Sequence, residues 1–172
     1  MLHSKITHKP AHARLLAFLL LAGILLTNGL QGATETATHC VKDFGAVGDG
    51  ETLDTAAIQK AIDRAHEGGG GQVVLSDGTF LSGTFYLKSG TTLVLEEDAV
   101  LLATQDVDQY PAIRPGFRSY SDNYSDKNLI YAEGQKNIAV IGEGTIDGQG
   151  DEKPFLNGPW KSRPHLIKFV EC

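Results

Sequence analysis

Short apolar segments separated by glycines and polar residues occupy most of the chain after residue 72, and this pattern predicts short β-strands. The segments are residues 73–75, 80–81, 84–87, 92–95 and 100–102. They are rich in β-branched, leucine and aromatic residues, and turn-forming residues lie between them. The segments follow one another too closely for the helical crossovers of a conventional parallel sheet. Two architectures remain open: an antiparallel sandwich of hairpins, or a β-solenoid with several short strands per coil.

One earlier segment follows helical periodicity. Its apolar positions recur three and four residues apart and form one stripe: Ala57, Ile58, Ala61, Ile62 and Ala65. We predict that Asp54 or Thr55 caps the start of this helix, and that glycines 68–71 stop it after about Glu67. In a solenoid, such a helix would cover the open end of the first coil, which otherwise exposes strand edges and apolar interior. Before it, residues 41–50 predict a short strand that ends in an Asp-Gly turn.

Weak internal similarity favours the solenoid. Residues 85–87 followed by 92–95 resemble residues 129–131 followed by 137–141. Residues 166–169 resemble the start of a third round. In such an architecture each coil stacks its apolar side chains on those of its neighbours.

The first residues predict a signal peptide. Lys5, Lys9 and Arg14 form a positive region, residues 15–26 are an apolar run of suitable length, and small residues follow. The run is short for a membrane span, although an uncleaved anchor remains the alternative. We therefore divide the chain into a signal peptide, residues 1–33, and one domain, residues 34–172. We expect a secreted or periplasmic protein that does not contact a membrane after cleavage.

Composition excludes some partners and leaves others open. The chain has 172 residues, 41% of them hydrophobic, and a formal net charge of −6. Without a basic stripe, nucleic acid is not an expected partner. Histidine and cysteine spacings match no metal motif, so we expect neither metal nor cofactor. Cys40 and Cys172 leave open a disulfide or, for Cys172 at the end of an apolar strand, a buried free thiol.

A polar segment, residues 103–127, interrupts the strand pattern and is a candidate functional loop. It is rich in aromatic and cationic side chains: Tyr110, Arg114, Arg118, Tyr120 and Tyr124. Aromatic faces suit sugar rings, and arginines suit carboxylates because they form bidentate hydrogen bonds. A packed surface loop without a binding role is the alternative. Elsewhere, Asp147, Asp151 and Glu152 form a carboxylate cluster, in which we expect Asp147 to cap its own glycine turn.

Several motifs together resemble the bacterial polygalacturonase-like enzymes of glycoside hydrolase family 28. These motifs are D-F-G-A-V-G-D-G at 43–50, D-T-A-A-I-Q at 54–59, L-S-G-T at 81–84, G-T-I-D-G-Q-G at 144–150 and R-P-H-L-I-K-F at 163–169. The resemblance covers residues 41–172. It implies an all-β fold, a right-handed parallel β-helix with a short N-terminal capping helix. It also implies hydrolysis of the α-1,4-galacturonosyl links of pectin or polygalacturonate with inversion. A monomer is the default expectation for a full-length solenoid.

The family's catalytic elements do not occur in this chain. The sequence contains no Asn-x-Asp, Asp-Asp, Gly-His-Gly or Arg-x-Lys element. We therefore expect a fragment truncated at the C-terminal end of its fold, and we assign no catalytic residue. The candidates for touching substrate are Arg114, Arg118, Arg163 and His165. The alternatives are a rhamnogalacturonase or polysaccharide lyase on the same fold, or a non-catalytic carbohydrate-binding or structural solenoid.

Overall fold

The computed structural model describes residues 36–117, 126–151 and 163–172. The predicted signal peptide, residues 1–33, lies outside these ranges, and so does Arg118. The described residues form eleven strands: β1 (Thr38–Cys40), β2 (Asp49–Leu53), β3 (Gly71–Leu75), β4 (Gly78–Ser82), β5 (Phe85–Tyr86), β6 (Thr91–Leu95), β7 (Ala99–Ala103), β8 (Asn128–Glu133), β9 (Ala139–Gly142), β10 (Thr145–Asp147) and β11 (His165–Val170). One α-helix, α1 (Thr55–Glu67), lies between β2 and β3. No helix of the described ranges is long and apolar enough to cross a membrane.

The strands form three parallel sheets, and this decides between the two predicted architectures. The sheet orders are β1-β3-β6-β9, β10-β7-β4-β2 and β11-β8-β5. Every strand pair within these sheets is parallel. The chain therefore visits each sheet once per coil, from β3 to β5, from β6 to β8 and from β9 to β11. The solenoid is confirmed, and the antiparallel sandwich is excluded.

Side chains of successive coils stack in register and form the core. Each sheet contributes at least one inner column: Val73, Leu93 and Val140; Phe80, Leu101 and Ile146; Phe85, Ile130 and Ile167. The members from the first two of these coils are fully buried. In the last coil, by contrast, Ile167 is 42% exposed, because no strand of the described residues covers β11 on its other side.

Helix α1 covers the first coil, as its periodicity predicts. All five residues of its apolar stripe are buried, and the helix packs against β1, β3 and β5. It follows β2 along the chain as β5 follows β4, so it takes the place of a third strand in the first coil. The helix ends at Glu67, and Gly69 and Gly70 then turn the chain with positive φ angles. At Gly70 a Cβ would lie 2.8 Å from the carbonyl oxygen of Gly90, so this close approach requires glycine.

Asp54 is the N-cap residue of α1, as predicted, but its side chain makes no cap hydrogen bond. The Asp54 carboxylate accepts hydrogen bonds from the backbone N–H groups of Val47 and Gly48, at 2.7 and 3.0 Å. The Thr55 hydroxyl accepts the N–H of Gly83, at 2.8 Å, from the next coil. Both side chains hold loops of the coil, since these backbone donors compete with the helix N-terminus for the same oxygens. The predicted strand over residues 41–50 is wrong: Val41–Phe44 is a 3-10 helix, and β2 begins at Asp49.

Replacing Asp54 with asparagine is expected to lower the free energy of unfolding by about 1–3 kcal/mol. Asp54 is only 2% exposed, and the amide nitrogen of asparagine would face a backbone N–H in place of an acceptor oxygen. Urea unfolding of the two proteins measures the difference. Asp43→Asn is the matched control, because Asp43 is exposed. Equal midpoints for Asp54→Asn and the parent would contradict the assignment.

Both cysteines are free thiols. Cys172 is exposed and Cys40 is half-buried. Of the alternatives left open, the disulfide is not formed, and the free thiol of Cys172 is exposed instead of buried. The chain leaves β11 at Val170, and Glu171 follows with a positive φ of 52°.

Candidate functional site

The outer face of the β5-β8-β11 sheet carries a column of polar and aromatic side chains. Phe85, Ile130 and Ile167 point inward, so the next residues along the strands, Tyr86, Tyr131 and Lys168, share the opposite face. The rings of Tyr86 and Tyr131 meet edge to face, with centroids 6.1 Å apart and planes at 82°. Tyr86 is 39% exposed and Tyr131 is 4% exposed. The outer ring of this pair is therefore open to solvent and rests on the inner one.

The described part of the loop between β7 and β8 lies along strand β8. Hydrogen bonds of its backbone connect it to the coil at Thr84 and Glu133, and a third bond closes the loop on itself. Gln109 accepts the N–H of Thr84 through its carbonyl at 3.1 Å, and Ile113 donates to the carbonyl of Asp126 at 2.7 Å. Further on, Gly116 donates to the carboxylate of Glu133 at the end of β8. The loop is thus fixed as one wall of the outer sheet face.

Glu133 is the side chain that joins this wall to the sheet. One carboxylate oxygen accepts the N–H of Gly116, and the other accepts the hydroxyl of Tyr131 at 2.8 Å. The Gly116 bond, with the Tyr131 bond second, holds the pKa of Glu133 below its ordinary value. Burial, and then the bond to Glu133, raises the pKa of Tyr131. Near neutral pH an ionised carboxylate therefore accepts from a neutral hydroxyl, and this pairing weakens as the pH falls through the lowered pKa of Glu133.

Two aromatic residues of this loop differ from expectation: Tyr110, a predicted binding residue, is buried, and Phe117, which was not predicted, is exposed. Tyr110 is 1% exposed, and its hydroxyl donates to the carbonyl of Thr104 at 2.6 Å, so it packs the base of the loop. Arg114 lies in the exposed wall. Phe117 is 62% exposed beside Gly116, which no periodicity could signal because the loop has none. Arg118, Tyr120 and Tyr124 lie outside the described residues.

A second feature lies between the 147–150 corner and the start of β11. A cleft of about 250 Å³ is lined there by Asp147, Gly148, Gln149, Gly150, Arg163, Pro164 and Leu166. Arg163 and Asp147 both line it, whereas His165 pairs in register with Asn128 at the start of β11. Asp147 accepts the N–H of Gln149 at 2.8 Å, which confirms that it caps its own turn. The Gln149 side chain then donates to the carbonyl of Ala103 at 2.7 Å in the preceding coil.

Asp147, the described turn residue of the predicted carboxylate cluster, therefore has a structural role. Asp147 is engaged in its turn, and Glu152 lies outside the described residues. Within the described ranges, no group of three or more His, Cys, Asp or Glu side chains could hold a metal ion. The outer sheet face therefore presents aromatic rings and hydrogen-bonding groups.

The fold places the chain among the parallel β-helix proteins. Residues 39–152 match the family model "Rhamnogalacturonase A/epimerase, pectate lyase-like", and the chain belongs to this family. The family 28 exopolygalacturonase of Yersinia enterocolitica superposes with a TM-score of 0.57 at 38% identity, over 66% of this chain. These matches confirm the predicted right-handed parallel β-helix and the resemblance to glycoside hydrolase family 28.

Similar sequences include a polygalacturonase and a binding protein. The "Probable polygalacturonase" of Vitis vinifera is 40% identical over 141 residues, which is 74% of this chain. The "Plasmin and fibronectin-binding protein A" of Streptococcus pneumoniae is 48% identical over 81 residues, 46% of this chain. The chain spans 28% of the Vitis protein, 11% of the Streptococcus protein and 21% of the Yersinia structure.

Proposed function

We propose that this chain is the N-terminal part of an exported, pectin-degrading glycoside hydrolase of the polygalacturonase type. The observation that carries the proposal is the 40% identity to the Vitis polygalacturonase over 74% of the chain. The 38% identity to the Yersinia exopolygalacturonase supports it independently. The substrate would be an α-1,4-linked polygalacturonate chain, hydrolysed with inversion.

In this proposal the chain provides helix α1, which covers the first coil, together with the first coils themselves and the loop between β7 and β8. Inverting hydrolysis needs a carboxylic acid and a carboxylate base, roughly 6.5–9.5 Å apart, on either side of the scissile bond. The family's Asn-x-Asp and Asp-Asp elements, which supply such groups, are absent from these 172 residues. We therefore place the catalytic groups in further coils of a longer protein. Residues 1–33 would direct its export, and the mature protein would act as a monomer.

Product analysis tests this proposal. The full-length protein is incubated with polygalacturonate, and reducing ends and unsaturated uronides are followed together. We expect new reducing ends without unsaturation, because hydrolysis adds water across the bond whereas a lyase leaves a double bond. The 172-residue chain alone is expected to release no reducing ends under the same conditions. Unsaturated products from the full-length protein would contradict hydrolysis, and turnover by the short chain would contradict the placement of the site.

A non-enzymatic solenoid is the second candidate function. The 48% identity to an 81-residue stretch of the Streptococcus pneumoniae protein favours it, since that protein's name describes binding. On this alternative the full-length protein would retain polygalacturonate or another macromolecule and form neither product. The same incubation therefore separates the two candidates.

A further inference from the structure

The sheet that contains β5 has one strand fewer than the other two sheets. Within the described residues, the sheets of β1 and β2 have four strands each, whereas β5 is the edge strand of a three-stranded sheet. Helix α1 lies where a strand of the first coil would otherwise pair with β5. An edge strand presents unpaired N–H and C=O groups, to which a strand of another chain can bind.

The side chain of Gln59 in helix α1 takes both backbone groups of Tyr86 at this edge. Its Oε1 accepts the N–H of Tyr86 at 2.8 Å, and its Nε2 donates to the carbonyl of Tyr86 at 3.2 Å. The next amide along the chain, that of Leu87, instead donates to the carbonyl of Tyr131 in β8 at 2.9 Å. A primary amide carries the same donor and acceptor as a peptide group, so Gln59 supplies the two hydrogen bonds that a residue of a neighbouring strand would supply.

Gln59 belongs to a polar stripe of helix α1 that runs along β5 and the residues after it. Asp63 and His66 lie four and seven residues further on, on the same side of the helix. Asp63 pairs with Lys88 at 2.8 Å, and Nδ1 of His66 binds the carbonyl of Ser89 at 2.8 Å. Each residue of this polar stripe follows a buried apolar residue by one position, so the packing of the apolar stripe fixes where the polar stripe lies.

The edge strand of a second sheet has backbone donors that a side chain occupies in a comparable way. Strand β2 is the N-terminal edge of its sheet. Two of its amides, those of Glu51 and Thr52, donate to the carboxylate of Asp49 at 2.9 and 2.7 Å. Polar side chains therefore bind backbone groups of the edge strand in two of the three sheets.

We propose that helix α1 acts as a surrogate strand, in which the side-chain amide of Gln59 pairs with the backbone of Tyr86 and closes the free edge of β5. The apolar stripe of the helix covers the interior of the coil, and the polar stripe satisfies the backbone beside it. The Asp63–Lys88 pair contributes little by itself, because its side chains are 37% and 40% exposed. The closure is therefore assigned to Gln59, and the edge has no backbone pairing left to offer another chain at Tyr86.

Hydrogen–deuterium exchange of the full-length protein, read at single amides, tests this closure. Gln59→Ala is expected to speed exchange of the Tyr86 amide about tenfold, because its hydrogen bond is lost while alanine maintains the helix. Gln59→Met keeps the length of the side chain without its amide and is expected to behave like Gln59→Ala. The Leu87 amide is the internal control and is expected to keep the parent rate, because its bond to Tyr131 lies on the β8 side.

Lys60→Ala is the matched control variant, because Lys60 is an exposed residue next to Gln59 on the same helix, and both amides are expected to keep the parent rate in it. A parent-like rate for the Tyr86 amide in Gln59→Ala would overturn the inference. Protection retained in Gln59→Met would also overturn it, because coverage of the edge without hydrogen bonds would then explain the parent rate. Equal acceleration at Tyr86 and Leu87 would mean that β5 opens as a whole, which is a third contrary result. These measurements need no catalysis, so they are independent of the proposed function.

Discussion

Replacing Gly142 with alanine is expected to lower the free energy of unfolding by about 2–6 kcal/mol. Gly142 ends β9 with a φ of +121°, a conformation that residues with a side chain rarely adopt. An added Cβ would also lie 1.9 Å from the carbonyl oxygen of Leu95, the residue below it in the stack. Because the obstacle is backbone of the preceding coil, relief requires β9 to move away from β6.

The matched control for this prediction is Gly68→Ala at the end of helix α1. Gly68 has a φ of −74°, and a Cβ there would lie 3.4 Å from its nearest neighbour, the carbonyl oxygen of Arg64. We expect a change within about 0.5 kcal/mol. Urea unfolding followed by circular dichroism compares both variants with the parent. A Gly142→Ala protein as stable as the Gly68→Ala protein would show that the coils can separate at β9 without cost.

Replacing Phe80 with alanine is expected to cost about 3–5 kcal/mol, because a large cavity remains between two coils. Phe80 is fully buried and lies in register with Leu101. Its ring also approaches the first coil, where a Cβ on Gly48 would lie 3.0 Å from it. The ring therefore fills the space between Leu101 and the loop at Gly48, and its removal would leave that space empty.

Phe117→Ala makes the same chemical change at an exposed position and is the control for Phe80→Ala. Phe117 is 62% exposed, so its removal is expected to change the free energy of unfolding by less than about 0.5 kcal/mol. Thermal unfolding of both variants measures the contrast. Equal losses would mean that Phe117 is buried in solution.

The sequence predicted those parts of the fold that depend on periodicity. The stripe from Ala57 to Ala65 identified both the helix and its buried face, since a spacing of three and four fixes which side chains share a face. The similarity of residues 85–87 to 129–131 correctly identified strands of one sheet, because stacked coils place equivalent apolar positions in register.

Contacts between distant loops were not predictable in the same way. Asp54 has the position and chemistry of a helix cap, and only the folded coil shows that Val47 and Gly48 take its oxygens. Tyr110 and Phe117 are both aromatic residues of one polar loop, yet the first is buried and the second exposed. Their difference depends on how the loop meets β8, through Glu133 and Asp126, and no local pattern encodes that meeting.

The unequal coils have a consequence for how such proteins diversify. The stretch from Leu93 to Val140 is more than twice as long as that from Val73 to Leu93, yet all three residues stack in one column. The surplus lies in the segment after β7, and lengthening a loop costs little additional closure entropy. Insertions and deletions there can therefore reshape the region around Phe117 while the hydrophobic interior stays unaltered.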